Sequence, residues 1–197
     1  ADSDGDALTL DPDTGGSMMA SMRADMRAAR GVPAPVRLAE FVADRLGQEA
    51  RIAAFSVNGW DTHIKQDRTL PRALQALSAT ILTLRDRMPD RIWKQTAIIA
   101  MTEFGRTVRL NGSGGTDHGT GGAMVLAGGA IRGGRVVGDW PGLAEAALLD
   151  RRDLMPTRDL RAHAAWIMRG LYGTGRSDLE QVIFPGIDLG ADPGHIA

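Results

Sequence analysis

A chain of 197 residues, 43% hydrophobic and 24% charged, is long enough to bury one ordinary core and too apolar to stay unfolded. Its formal net charge of −1 gives no basis for a nucleic-acid or membrane-surface partner, and no apolar stretch is long enough to span a bilayer. Cysteine is absent, which excludes disulfides and thiolate metal sites and leaves the redox compartment open.

In chain order, residues 1–34 form a first segment. "ADSDGDALTLDPD" is acidic and shows no export-signal pattern. "GSMMASMRADMRAAR" then places Met18, Met19, Met22 and Met26 on one helical face, read as core packing. "VRLAEFVADRLGQE" predicts a second amphipathic helix, with Leu38, Phe41, Val42 and Leu46 on its apolar side. "RIAAFSVN" is a short apolar run, expected as a strand over 51–57 and ended by Asn58-Gly59. Leu70, Leu74, Leu77, Ile81, Leu84 and Met88 alternate steps of four and three, which predicts a long helix over 68–88 stopped by Pro89. Two further buried-strand candidates lie at 95–101 and 123–127. "GGAIRGGRVVGDWPGL" reads as a glycine-punctuated turn and hairpin, and it lacks the strand–GxGxxG–helix setting of a dinucleotide site. "TRDLRAHAAWIMRGLYG" predicts a last helix, with Thr157 near its N-cap and Gly173 as its stop.

Continuous apolar strands separated by a helix favour an α/β fold with a mostly parallel sheet and helices on both faces. Strands 51–57, 95–101 and 123–127 are then neighbours, with the long helix on one face. In such sheets ligands gather at the carboxyl ends of the strands. "NGWDTH" follows the first strand and carries Asp61 and His63. "TEFGRT" follows the second and carries Glu103 and Arg106. "TDHGTGG" precedes the third and carries Asp117 and His118.

Taken singly, each of these residues has an ordinary structural reading. Asp61 caps a segment, His63 is solvated, Glu103 and Arg106 pair, and Asp117 is a turn residue among glycines. Taken together at successive strand ends, they point to a site. Carboxylate oxygen and imidazole nitrogen bind divalent metals, and a guanidinium beside them suits a tetrahedral oxyanion. The glycines let backbone approach closely or take positive φ. His163 reads as a packed or half-exposed helix residue, and His195 as an uninvolved residue in a tail over 187–197.

The three motifs "NGWDTH", "TEFGRT" and "GTDHGTGGAMVLAGGAIRGG", in this order, resemble those of the DUF1501 family, which is similar to the alkaline phosphatase and sulfatase superfamily. The later "LMPTRDLRAHAAWIMRGLYG" and "VIFPG" resemble the family's C-terminal end, so the likeness runs over 35–186. The resemblance implies an alkaline-phosphatase-like fold, present here as its C-terminal half. It implies a metal held by Asp61, His63 and His118, with Glu103 as a second ligand or outer carboxylate and Arg106 holding the oxyanion. Glu103-Phe104 stands where the superfamily has a second-metal Asp-His pair. Zinc is the expected ion, with calcium or manganese as alternatives. The implied function is hydrolysis of small phosphate or sulfate esters by an exported, periplasmic protein. The nucleophile-bearing N-terminal half is expected to be missing here, since residues 1–34 are too short to supply it and nothing places Ser17 or Ser21 at the site. Thr116 and Thr120 are the nearest substitutes, and little esterase activity is expected of the chain as given. The alternative is a non-catalytic metal- or anion-binding module of the same fold.

Overall fold

The structure, a computed structural model, describes residues 31–197; the acidic segment and the expected methionine-rich helix lie outside the described residues. Helix α1 spans Ala34–Leu46. Pro33 and Pro35 at its start have the φ a first turn needs, and their missing N–H groups are ones no helix start can bond. Helix α2 spans Gln66–Arg87 and ends before Met88-Pro89, with Arg85 and Arg87 in its last turn facing the negative end of the helix dipole. Ala39, Val42 and Ala43 of α1 pack on Leu84 and Met88, and Trp93 of the short helix α3 (Asp90–Trp93) closes this core with Ile98. The small residues let the two helices approach, and Arg87 pairs with Glu40 across them. Leu74, expected on the apolar face, is half exposed, and Ala73 and Thr80 are buried instead.

Among the described residues the expected parallel sheet is not present. The described residues hold two small antiparallel sheets of two strands each. Strand β1 (Ile98–Ala100) pairs antiparallel with β4 (Val125–Ala127), and β2 (Gly105–Arg106) pairs antiparallel with β3 (His118–Gly119). The described residues are therefore not a mostly parallel, alkaline-phosphatase-like α/β sheet with helices on both faces. The physical reason lies in the connections. Parallel neighbours need a crossover, usually a helix, between them. Residues 101–124 contain no helix and return directly, so the strand before them and the strand after them run in opposite directions. Helix α2 does lie between 51–57 and β1, but 51–57 forms no strand, and Ile52 and Phe55 are exposed. An apolar run marks a segment able to pair; it does not supply the partner.

The expected hairpin in 128–143 is also absent: Val136 is fully exposed, and Ile131 bridges to Ile196 near the chain end. Helix α4 spans Leu160–Tyr172. Its cap is Asp159, whose carboxylate accepts from the Arg161 N–H, and not Thr157; Gly173 closes it in the left-handed conformation as expected. Beyond α4 come the short helix α5 (Arg176–Asp178) and a π-turn over Leu179–Ile183. Ala162, Ala165, Leu179, Ile187 and Leu189 make a second core.

The last residues are packed, contrary to the reading of His195 as uninvolved. His195 is buried, with its Nε2 2.8 Å from His163 Nδ1. Arg132 N–H donates to the His195 carbonyl and Ala197 N–H to the Ala130 carbonyl. Burial first, and then the nearby Arg158 and Arg135 charges respectively, hold both imidazoles below their usual 6.5. In that range the unfolded chain takes up protons that the folded chain refuses. The stability these groups contribute is therefore complete above about pH 6.5 and is lost as pH falls through their lower folded values. Thermal melting of the wild type between about pH 7.5 and 5 should show this loss, and His195→Gln, which cannot protonate there, should flatten it.

Candidate metal centre

The site is built from two loops stitched together by backbone. One carries Asp61 and His63 and runs into α2; the other runs from Asn111 to His118. Thr116 N–H donates to the Thr62 carbonyl, Lys65 N–H to Ser113 and Gln66 N–H to Gly114, around an antiparallel bridge between Ile64 and Gly114. Contact at this range dictates glycine. A Cβ on Gly115 would lie 2.2 Å from the His63 carbonyl carbon, and one on Gly105 would lie 2.3 Å from that of Thr120. The glycines around the motif thus serve close approach as well as turning.

The β2–β3 pair sets the second ligand position. Arg106 stands directly opposite His118 in the register, and Thr107 N–H donates to the Asp117 carbonyl. The Arg106 guanidinium donates through Nη2 to the Trp60 carbonyl (2.6 Å) and through Nη1 to the Thr116 carbonyl (3.0 Å). These carbonyls belong to the residues just before Asp61 and just before Asp117-His118. Arg106 therefore ties both ligand loops to one point, and its Nη2 lies 3.7 Å from Asp61 Oδ1. Arg106→Lys should melt at a lower temperature, because an ammonium cannot span both carbonyls. The part-buried Thr116 carbonyl, unlike that of Trp60, which keeps the Thr62 N–H, would lose its partner at a cost of about 1–3 kcal/mol or less. A melting temperature unchanged from wild type would remove this clamp from the account.

Three donor atoms meet at the centre. His63 Nε2 lies 2.7 Å from Asp61 Oδ1, His118 Nε2 lies 3.0 Å from the same oxygen, and the two Nε2 atoms are 3.2 Å apart. Among the described residues this is the one cluster of three or more such side chains able to hold a metal ion. The spacing suits one: a tetrahedral ion with ligands at about 2.0–2.1 Å holds them about 3.3 Å apart. Without a cation, two nitrogens and a carboxylate oxygen at this range need protons between them; a divalent ion takes the place of those protons. The bond from His118, with the charges of His63 and Arg106 adding to it against a smaller effect of burial, holds the Asp61 carboxyl below its usual 3.8. It is ionised, as a ligand must be, at neutral pH.

Glu103 is not among the converged residues. It is exposed on the loop before β2 and makes no ion pair among the described residues. Its neighbour Phe104 stacks on the His118 ring, with centroids 4.2 Å apart and an interplanar angle of 23°. Thr116 is buried and donates to Gln66 Oε1, and Thr120 donates to Asp153 Oδ2. The sequence reading missed Asn111 and left Asp117 without a role. Asp117 Oδ1 lies 3.3 Å from His63 Nδ1 and accepts from Asn111 Nδ2 at 2.9 Å. Those two bonds, Asn111 first, hold the Asp117 carboxyl below 3.8. The available signal was the Asn-Gly step, since asparagine bonds the backbone two residues on, as Asn111 does to Ser113.

The model of a family described as "Protein of unknown function (DUF1501)" matches residues 17–165, and the chain belongs to that family. No curated protein and no solved structure matches it. No helix among the described residues is long and apolar enough to cross a membrane.

Proposed function

We propose that this member of the DUF1501 family holds one divalent metal ion on Asp61, His63 and His118, and that the centre serves hydrolysis of phosphate or sulfate esters. The observation that carries the reading is the meeting of one carboxylate oxygen and two imidazole nitrogens within 3.2 Å of one another. Two histidines and one carboxylate, with a side left open, is a donor set used by hydrolytic zinc sites. Zinc fits it best and manganese next; calcium, which takes six to eight oxygens, fits least. Bound there, the ion would supply Lewis-acid polarisation of an ester oxygen.

The chain's own residues bind and orient. Asp61 and His118 face solvent, which leaves room for a ligand. Phe104 walls one face of the His118 ring. The bonds of Arg106 support a positioning part, since two of its N–H donors hold the Trp60 and Thr116 carbonyls and fix where the guanidinium stands. Glu103 keeps only the part of an outer carboxylate on a neighbouring loop. The likeness to the alkaline phosphatase and sulfatase superfamily, and with it placement in the periplasm or outside the cell, rests on the sequence motifs.

A second reading is a metal-binding module without turnover. The engaged hydroxyls of Thr116 and Thr120 favour it, because neither is presented as a nucleophile. Assays on aryl phosphate, phosphodiester and aryl sulfate, with Zn²⁺, Mn²⁺ and Ca²⁺ in turn, separate the two. The expected result is metal binding with turnover well under the ordinary enzyme range of about 1–10³ per second. Turnover within that range, lost in His118→Ala, would show that the chain as given is a hydrolase by itself. Absence of metal binding would remove both readings.

A further inference from the structure

The two imidazoles of the centre are not held alike. His118 is braced by the Phe104 ring on its face and by its place in β3. His63 is braced through its outer nitrogen. Nδ1 lies 3.3 Å from Asp117 Oδ1. A carboxylate only accepts, so Nδ1 donates a proton to Asp117. Nε2 meets a second carboxylate oxygen, Asp61 Oδ1, at 2.7 Å. Without a cation it shares a proton there, and a metal ion that displaces that proton takes the Nε2 lone pair. Asp117 cannot itself reach that point, because the His63 ring stands between its Oδ1 and the ligand nitrogen.

Asn111 is the hub behind this pair. Its Nδ2 donates to Asp117 Oδ1 (2.9 Å) and to the His63 carbonyl (3.0 Å). Its Oδ1 accepts from the Ser113 N–H (2.9 Å) and the Gly115 N–H (3.1 Å). Both donor hydrogens and both lone pairs of the amide are thereby used, so the side chain has one orientation and no spare partner. The amide nitrogen grips both the residue that carries the ligand ring and the residue that orients it, and the amide oxygen anchors the hub to its own loop.

Building on the metal reading above, we propose that Asn111 and Asp117 are positioning residues that lock His63 as its Nδ1–H tautomer and so make Nε2 the metal-binding nitrogen. Outer partners of this kind fix the tautomer and ring angle of a ligating histidine and raise its basicity. The Nδ1 contact with Asp117 is in place before any ion arrives, so the proton on Nδ1 is testable in the metal-free chain.

The test uses the full chain with zinc alone as probe, and three variants. Asp117→Ala removes the acceptor. Asn111→Asp keeps the size and the two accepted bonds but turns a second carboxylate oxygen on Asp117 and on the His63 carbonyl. Asp117→Asn is the conservative control, since its amide oxygen can still accept from both partners. Nitrogen-15 shifts of the His63 ring in the metal-free protein report the tautomer, and calorimetric titration reports zinc affinity. In the wild type Nδ1 of His63 should carry a proton, whether or not Nε2 shares one with Asp61. In Asp117→Ala and Asn111→Asp Nδ1 should lose that proton, leaving one on Nε2 against Asp61, with zinc bound about 10–100-fold more weakly. Asp117→Asn should restore the tautomer and most of the affinity. A His63 that keeps its Nδ1–H form in Asp117→Ala overturns the relay, as does zinc affinity unchanged in both disruptive variants. If Asp117→Ala fails to fold, the comparison of Asn111→Asp with Asp117→Asn decides. If the wild type binds no zinc, the metal reading fails, and the ring-nitrogen shifts still decide the relay.

Discussion

Gly115→Ala should be among the most damaging small substitutions in the described chain. Its added methyl would sit 2.2 Å from the His63 carbonyl carbon, and within 2.4 Å of the His63 and Thr62 carbonyl oxygens. Real Cβ atoms do not approach backbone so closely, and no side-chain rotation relieves it. The loop carrying His118 must lift off the loop carrying His63. That breaks the bonds from Thr116 to Thr62 and from Lys65 and Gln66 to Ser113 and Gly114. Overpacking usually costs about 1–3 kcal/mol, and a backbone-on-backbone clash belongs at the top of that range or above it. Urea unfolding measures the loss, and zinc titration should show that the metal goes with it. Gly112→Ala is the control. Nothing lies within 4 Å of its would-be methyl, so stability there should hold or rise slightly. Equal stability for the two variants would mean that the loops do not meet as described.

His118→Ala should have the largest effect on binding alone. It removes one of three donors while leaving the loop contacts, which run through backbone, in place. Affinity for zinc should fall by more than the roughly 10–100-fold that loss of an outer partner costs. Thermal stability of the metal-free chain should change little, because His118 is substantially exposed. The matching control is His163→Ala, which touches the histidine pair near the chain end and should leave zinc affinity unchanged. Similar losses of affinity in both variants would mean that the metal is bound without specificity.

The helices were the most legible part of the sequence. α1, α2 and α4 each carry a local apolar period, and local period is what a sequence displays directly. Their bounds follow from proline and glycine at the ends, although Asp159 and not Thr157 supplies the cap of α4. The sheet was not legible in the same way. β1 and β4 have three residues each, and what pairs with a short strand depends on the path of the chain between the candidates. The expectation that these loops meet came from a rule about parallel sheets, which this fold does not form, and the choice of Asp61, His63 and His118 among their residues came from the family resemblance. They meet because the loop after 51–57 is stitched to the glycine-rich loop, and because β2 and β3 place Arg106 opposite His118. Residue types suited to a metal can be read from sequence. The contacts that gather them are long-range and leave no periodic trace. Glu103 shows the opposite case, since its chemistry fits a ligand but its carboxylate is not among the donors that converge. His195 shows that position near a chain end does not determine burial, which here comes from packing against α4 and the Ile131–Ile196 bridge.

The central claim is that Asp61, His63 and His118 are joint ligands of one metal ion. X-ray absorption at the zinc edge, on the wild-type chain stripped with chelator and reloaded with one equivalent of zinc, addresses it most directly. The account predicts a low-coordinate shell of nitrogen and oxygen at about 2.0–2.1 Å. It also predicts the outer-shell scattering of two imidazole rings, reduced to one in His63→Ala and in His118→Ala. A shell of oxygen alone, or an imidazole signature indifferent to both substitutions, would contradict it.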